Sequence, residues 1–414
     1  MKTNEKSIKI IDGKKVIMPE LLEKMLDDRD KSIERIRVVT DAMKKLSLAK
    51  TREEQLAIPI PTEFEIYGEL SWHAMQPYVS GFTMADDSNL PRCSYGCMGS
   101  LASVLFPDLY RGEMKDYGST SGISSLGRHI LINKQNHSLE DKFLSFFVGI
   151  MRQVIFGEFL THFRQFCEFP YGVPISGLIA QHYGLKTSFI DLTDDIKVAL
   201  FFACCKRENG NEYRPISNAD LSELGDNGVI YHGHSTQSQM IGYQPFYRCH
   251  RQRGYYIDTA IEYPCWEVSL NGNGFEKLYF KRTVELSERL CDEFDGGKTL
   301  FPDDNYRPLV EMIDVIEKEK VFPWAAFNIA YKTFSAYVER YQGNGSICPD
   351  LADCMKDKDY LVAQLHARNY KFNDRFLAKV DHTIVNTMND QWDPIDFARK
   401  EGLVYQPFEI IEIQ

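Results

Sequence analysis

A chain of 414 residues with 43% apolar and 26% charged side chains has the composition of an ordinary globular protein and enough mass for two or three structural units. Its net charge of −11 excludes a whole-surface electrostatic grip on nucleic acid, which depends on Lys and Arg neutralising phosphates, and leaves only a local basic groove for that role.

Residues 1–15 alternate Lys with polar and isolated apolar residues and lack the apolar stretch and cleavage site of a secretory signal, so a cytoplasmic location is expected. Residues 20–48 then place Leu22, Met25, Leu26, Ile33, Ile36 and Met43 at mixed helical spacings between charges, which predicts one amphipathic helix or a broken pair. The run Ile58-Pro59-Ile60-Pro61 stops a helix and favours extended backbone. A first boundary is placed there, with residues 1–60 as an N-terminal helical segment.

From Phe64 the pattern changes to short strands mixed with helices. Ser138 and Asp141 resemble a helix-starting cap, and Phe143, Phe147, Ile150, Met151, Val154 and Phe163 follow at helical spacing. A second helix is predicted from near Pro174 to Tyr183, with Gly184 as its left-handed stop. Thr187 to Leu192 has the pattern of a buried strand, and Asp194 or Asp195 is placed to cap a helix carrying Val198, Leu200, Phe201, Phe202 and Ala203. Strand-like composition returns at Val229–His232, Tyr255–Thr259 and Leu278–Phe280.

Few helices among several short strands predict an α+β fold: a central mixed α/β domain over residues 61–305, with short strands around a cleft. No GxGxxG or P-loop pattern is present, which disfavours the common dinucleotide and nucleoside-triphosphate folds. Beyond Pro308 helical spacing resumes, so residues 306–414 are expected to form a C-terminal helical extension, with Gly402–Gln414 returning as an extended segment. The apolar runs Phe143–Ile150 and Val198–Cys205 fall short of the roughly 20 residues that span a bilayer, and no membrane contact is expected.

Ten scattered cysteines are expected to be reduced thiols. Cys93 with Cys97, and Cys348 with Cys354, lack the paired knuckles of a zinc site, and His232, His234 and His250 would need further ligands from elsewhere. No metal site is assigned.

The residues with the most chemical content fall in four groups. Arg111, in Leu109-Tyr110-Arg111-Gly112-Glu113, offers a rigid donor fork suited to phosphate, with Gly112 allowing close approach of a ligand to the backbone. The plain alternative is a buried pair of Arg111 with Glu113 or Asp191. In Gln181-His182-Tyr183-Gly184, His182 and Tyr183 suit a ribose or planar ring, or acid–base work, whereas a helix-terminal His also caps carbonyls. Asp191 and Thr193 share one strand face and either touch substrate or satisfy neighbouring backbone. Gln252 and Arg251, before Gly254 and an aromatic strand, either complete a nucleotide site or form an exposed turn. Arg248, Arg251 and Arg253 together would make a local basic patch.

These groups, in this order, resemble the FRG domain family, named for a Phe-Arg-Gly motif. Tyr110-Arg111-Gly112 stands for the signature with Tyr in place of Phe. Gln181–Gly184, Asp191-Leu192-Thr193 and Ala199–Ala203 are similar to its central series, and Arg251–Gly254 and Phe301-Pro302-Asp303 to its later elements. The resemblance covers roughly residues 70–305 and implies a relationship to ADP-ribosyltransferases, which bind NAD in a split β-sheet cleft. On that footing NAD is the implied substrate, Arg111, His182 and Gln252 the implied catalytic set, and Glu113, Tyr183, Asp191, Thr193 and Arg251 the implied substrate-binding set. The function implied is that of a bacterial toxin or phage-defence effector. Its partners would be a protein or nucleic-acid acceptor and an antitoxin or other partner protein. Cleaving the nicotinamide–ribose bond builds oxocarbenium charge that wants a carboxylate. The third position holds Gln252, so either Glu113 or Asp191 supplies that charge or the domain senses a nucleotide without processing it.

Overall fold

A computed structural model describes residues 8–30, 51, 53–54, 57, 108–133, 138–168, 176–208, 210–233, 238–240, 245–246, 248–259, 268–302, 307–341, 354–355, 357–374, 382–393 and 396. The expected helix beyond residue 30, the boundary at Pro59–Pro61, Cys93, Cys97, Cys348, Asp303, His234 and the segment Gly402–Gln414 lie outside the described residues, as does the side chain of His250.

The fold is mixed α+β around one eight-stranded sheet. Its strands are β1 (Ile8–Ile11), β2 (Lys14–Ile17), β3 (Leu109–Glu113), β4 (Phe189–Thr193), β7 (Asn227–Gly233), β8 (Gln239–Met240), β9 (Gly254–Asp258) and β10 (Phe275–Lys281). Between β4 and β7 runs a separate hairpin of β5 (Cys205–Arg207) and β6 (Tyr213–Pro215). The spatial order is β1-β2-β10-β7-β3-β4-β9-β8, antiparallel except where β2 runs parallel to β10. Residues 1–60 were expected to be helical, yet they open with the hairpin β1–β2. Asp12 and Gly13 both take positive φ in its turn (50° and 75°), the backbone that lets a two-residue turn follow strand twist. The helix α1, residues 19–30, follows and buries Leu21, Leu22, Met25 and Leu26 against the sheet.

Helices cover the sheet as α2 (Ser125–Ile132), α3 (Leu139–Leu160), α4 (Ser176–His182), α5 (Ile196–Cys204), the short α6 (Arg248–Arg251) and α7 (Val284–Glu293). Ser138 and Asp141 form a reciprocal capping box at the start of α3, and Asp195 accepts the Lys197 N–H at 2.9 Å to start α5. Gly184 ends α4 with φ 111° while Gly184 N–H donates to Gln181 and Leu185 N–H to Ala180, a Schellman closure that fixes where His182 and Tyr183 point.

Past residue 306 come α8 (Arg307–Lys318), α9 (Trp324–Tyr341), α10 (Lys358–Ala367) and α11 (His382–Asp390), with a small parallel pair β11 (Val321–Pro323) and β12 (Lys371–Asn373). Helices on both sides of residue 306 share one apolar core: Phe143 and Phe147 of α3 meet Phe334 of α9 at ring separations of 5.4 and 5.6 Å. Each such fully buried ring contributes about 1.5–3 kcal/mol relative to exposure. Helix α3, at 22 residues, is long and apolar enough by composition to cross a membrane, although neither apolar run flagged in the sequence has that length; most of it is buried against these partners.

Candidate active site

Strand β3 pairs with β7 over five positions and β4 with β9 over five, but β3 and β4 meet at one position, Tyr110 opposite Thr193. Beyond that pair the two halves of the sheet diverge. The Arg111 side chain enters the gap and its Nη1 donates to the Asp191 carbonyl at 2.8 Å, taking the place of a ladder hydrogen bond. A cleft of about 750 Å³ opens over this split, within the range of small-molecule sites.

Seven of the eight side chains expected at a site line this cleft: Arg111, Glu113, His182, Tyr183, Asp191, Thr193 and Gln252. Arg251 does not; it is exposed at the end of α6. Six of the seven divide into two sets, and Tyr183 belongs to the aromatic wall of the cleft. Glu113 is buried and committed to the scaffold, accepting from Ser121 Oγ at 2.7 Å, Gly122 N at 3.1 Å and Arg128 Nη2 at 2.7 Å. Thr193 Oγ1 donates to the Gln252 carbonyl at 2.9 Å and accepts the Asp195 N–H at 3.1 Å. Gln252 Nε2 donates to the Leu300 carbonyl at 3.2 Å, holding the loop before Phe301 against the site.

The second set carries unspent hydrogen-bonding capacity. Arg111 Nε, His182 Nε2 and Asp191 Oδ1 are buried and find no hydrogen-bond partner among the described residues. Arg111 Nε stands 3.7 Å from Glu113 and His182 Nε2 stands 3.8 Å from Asp191 Oδ1, both beyond hydrogen-bond reach. Burial pushes the His182 imidazole below its ordinary value, with Asp191 offsetting part of this and Arg248 adding to it. The ring is therefore neutral at pH 7 and able to accept or donate.

Aromatic rings form the remaining wall. Arg248 lies 4.3 Å over the Tyr183 ring and 5.6 Å from that of Phe301, and its Nη1 donates to the His182 carbonyl at 3.0 Å. Phe301 stacks on Tyr213 at 5.5 Å. The sequence suggested Arg248 only as part of a basic patch, and the structure disperses that patch. Arg248 is buried in the cleft, Arg253 is bound to Asp194 at 2.6 Å, and Arg251 faces solvent. The spacing of Arg248 and Gln252, four residues apart across α6, was the available sign that both face one side, and Gln252 N–H does donate to Arg248 O at 3.2 Å. Arg128, which brings a second guanidinium to the rim, went unnoticed. His232, from the histidine group considered for a metal, instead stacks on Tyr110 and meets Asp108 at 3.1 Å.

Most of these contributors, with Tyr213, Arg248, Gln252 and Phe301 as exceptions, fall in one continuous stretch. Residues 108–212 carry an FRG domain. No curated protein and no solved structure matches the chain. Within the FRG domain the signature glycine, which lines the cleft, is also required for packing: a Cβ on Gly112 would sit 1.7 Å from the Ala199 carbonyl oxygen and 3.2 Å from the Ala203 methyl. Only a glycine lets α5 lie this close across β3. The FRG domain's other motifs are divided in the same way. Gln181 accepts the Thr187 hydroxyl while His182 turns to the cleft, and Thr193 ties β4 to Gln252 while Asp191 faces the cleft.

Proposed function

We propose that the cleft binds a pyrophosphate-bearing nucleotide of the NAD class and breaks its N-glycosidic bond, passing ADP-ribose to a protein or nucleic-acid acceptor or to water. The observation that carries this reading is the convergence of three unsatisfied buried atoms, Arg111 Nε, His182 Nε2 and Asp191 Oδ1, on one cleft. Buried polar groups are otherwise almost always paired, so a ligand with both acceptors and donors is the natural completion. Arg111 with Arg248 supplies cationic charge for phosphates, and the rings of Tyr183, Tyr213 and Phe301 supply faces for a planar base.

Bond cleavage would leave the electron pair on the nicotinamide nitrogen and positive charge on the ribose C1′. Asp191 is the carboxylate with an unengaged oxygen to stabilise that charge, because the Glu113 oxygens are already taken by Ser121, Gly122 and Arg128. Neutral His182 beside it suits acceptance of the proton lost by the attacking nucleophile. Gln252, implied for the third catalytic position by its place in the motif, acts in this reading as a clamp on Leu300.

The test is release of nicotinamide and transfer of label from labelled NAD in a cell lysate. The comparison set is the wild type with Arg111→Ala and Asp191→Asn, and co-expression toxicity of the same variants tests the effector role. Turnover lost in both folded variants supports the enzyme. A second reading, a nucleotide-sensing module, is favoured by the commitment of Glu113 and Gln252 to the scaffold; it requires NAD binding by the wild type with no nicotinamide released. Turnover in Asp191→Asn equal to wild type would refute the assignment of the carboxylate.

A further inference from the structure

A second cavity, of about 540 Å³, lies where α2 and α3 of the sheet domain meet the C-terminal helices, on a different set of residues from the cleft. Four basic side chains line it, Arg152, Lys186, Lys320 and Arg368, against two acidic ones, Asp141 and Glu317. Both acids are already matched. Arg368 Nη2 binds Asp141 Oδ1 at 2.6 Å, and Lys186 Nζ binds Glu317. The positive charge left over belongs to Arg152 and Lys320. Arg152 Nη2 donates to the Glu317 carbonyl at 2.7 Å, while its Nε is buried with no hydrogen-bond partner among the described residues. Lys320 rests its ammonium 4.0 Å from the Tyr370 ring centre and meets no carboxylate among the described residues.

This excess is notable in a protein of net charge −11, where chance placement favours acidic surroundings. The imidazole of His129 in the same cavity is held below its ordinary value by burial, then by the charges of Lys186 and Arg152, with Glu317 opposing. Leu126, Leu144, Val148 and Leu185 add apolar lining to the same cavity. A cavity lined by both cationic and apolar side chains suits a small amphiphilic anion better than a bare ion or a polyanionic chain.

We propose that this cavity is a binding site for a phosphorylated small molecule with a planar or apolar part, its phosphate held by Arg152 and Lys320. Tyr370 stands beside the phosphate and the leucines receive the rest. The proposal does not depend on the chemistry assigned to the cleft.

Adenosine monophosphate serves as the probe, with adenosine as the control lacking phosphate, in isothermal titration of the full chain. With the cleft weakened by Arg111→Ala, the chain is expected still to bind the monophosphate and to ignore adenosine, while Arg152→Met or Lys320→Glu added to that variant weakens this remaining binding at least about tenfold. Lys320 is exposed, so Lys320→Glu is expected to fold even where Arg152→Met does not. Binding that survives Lys320→Glu but is lost in Arg111→Ala would place the anion in the cleft and overturn the proposal. So would equal binding of adenosine, or no binding by the wild type at millimolar concentration.

Discussion

Replacing Gly112 by alanine separates the two meanings that an Arg-Gly pair can have. The added methyl carbon would stand 1.7 Å from the Ala199 carbonyl oxygen, where ordinary contact begins at 3.4 Å. Because the obstacle is backbone, no rotamer change relieves it, and β3 and α5 must separate by more than an ångström. Helix α5 cannot move freely: Val198, Leu200, Phe201 and Ala203 are buried, and it contacts β3, β7 and α7. Overpacking of a rigid core costs about 1–3 kcal/mol and more where relaxation is blocked, so a loss of roughly 3 kcal/mol is expected. At about 2 °C per kcal/mol for a chain of this size the melting temperature falls by roughly 6 °C. Differential scanning calorimetry reads this directly, and Ala203→Gly in the same chain is expected to give little rescue, since it removes the farther contact and leaves the carbonyl. A Gly112→Ala protein that melts within a degree of wild type but has lost nucleotide binding would refute the packing account and return the glycine to the ligand.

The remaining expectations concern charge. Arg29 of α1 donates through Nε to Asp195 at 2.9 Å and through Nη2 to the other oxygen, and the Asp195 side chain is 2% exposed, so Arg29→Met strands a buried carboxylate and costs about 3 kcal/mol in urea unfolding. Burial raises the Asp195 value and the Arg29 bonds more than reverse it; with a lowered folded value, its stabilisation is present above about pH 4 and is lost as pH falls further, and Arg29→Met is expected to shrink that loss. His182 has the reverse chemistry and the same direction: its native site resists protonation while the unfolded imidazole takes a proton near pH 6.5, so stability is full above about pH 6.5 and declines as pH falls below it. Melting of His182→Gln between about pH 7.5 and 5.5 should be flatter than that of the wild type, and an unchanged slope would mean the ring is solvated. Gln252→Ala removes one bond to Leu300, about 1 kcal/mol, and is expected to lower turnover by less than tenfold, against about a hundredfold or more for Asp191→Asn; equal losses would restore Gln252 to the chemistry.

Local signals translated well from sequence into structure, because their causes are local. Ser138 with Asp141, Asp195 before α5 and Gly184 after α4 all act on backbone within a few residues, and each does what its position suggested. Asp12-Gly13 was an equally local signal, overlooked because the charged residues around it masked the strand alternation of Ile8–Ile17. What the sequence withheld was long-range. Glu113 reads as a substrate ligand or as a buried partner of Arg111, yet its hydrogen-bond partners come from a turn and a helix eight to fifteen residues on, at no periodic spacing. The shared core of α3 and α9 likewise joins residues nearly two hundred positions apart, which no composition change near residue 306 foretells.

The split sheet explains why motif order alone could locate the site without assigning its roles. A strand that borders a cleft must offer one residue to the opening and anchor itself with another, since an unpaired edge there would otherwise have nothing to hold it. Arg111 and Gly112 on β3 and Asp191 and Thr193 on β4 are two instances of this division, and His182 and Gln181 repeat it at the end of helix α4, each a pair within two residues of one another. Any pattern that records such pairs marks the cleft faithfully, while the member that turns its polar atoms to the cleft is decided by which neighbouring backbone the other one must satisfy. Gln252 illustrates the consequence: its carbonyl holds Thr193 and its amide holds Leu300, so its place in the motif follows from joining β4 to the Phe301 loop, and Asp191, one strand away, is left with the free oxygen.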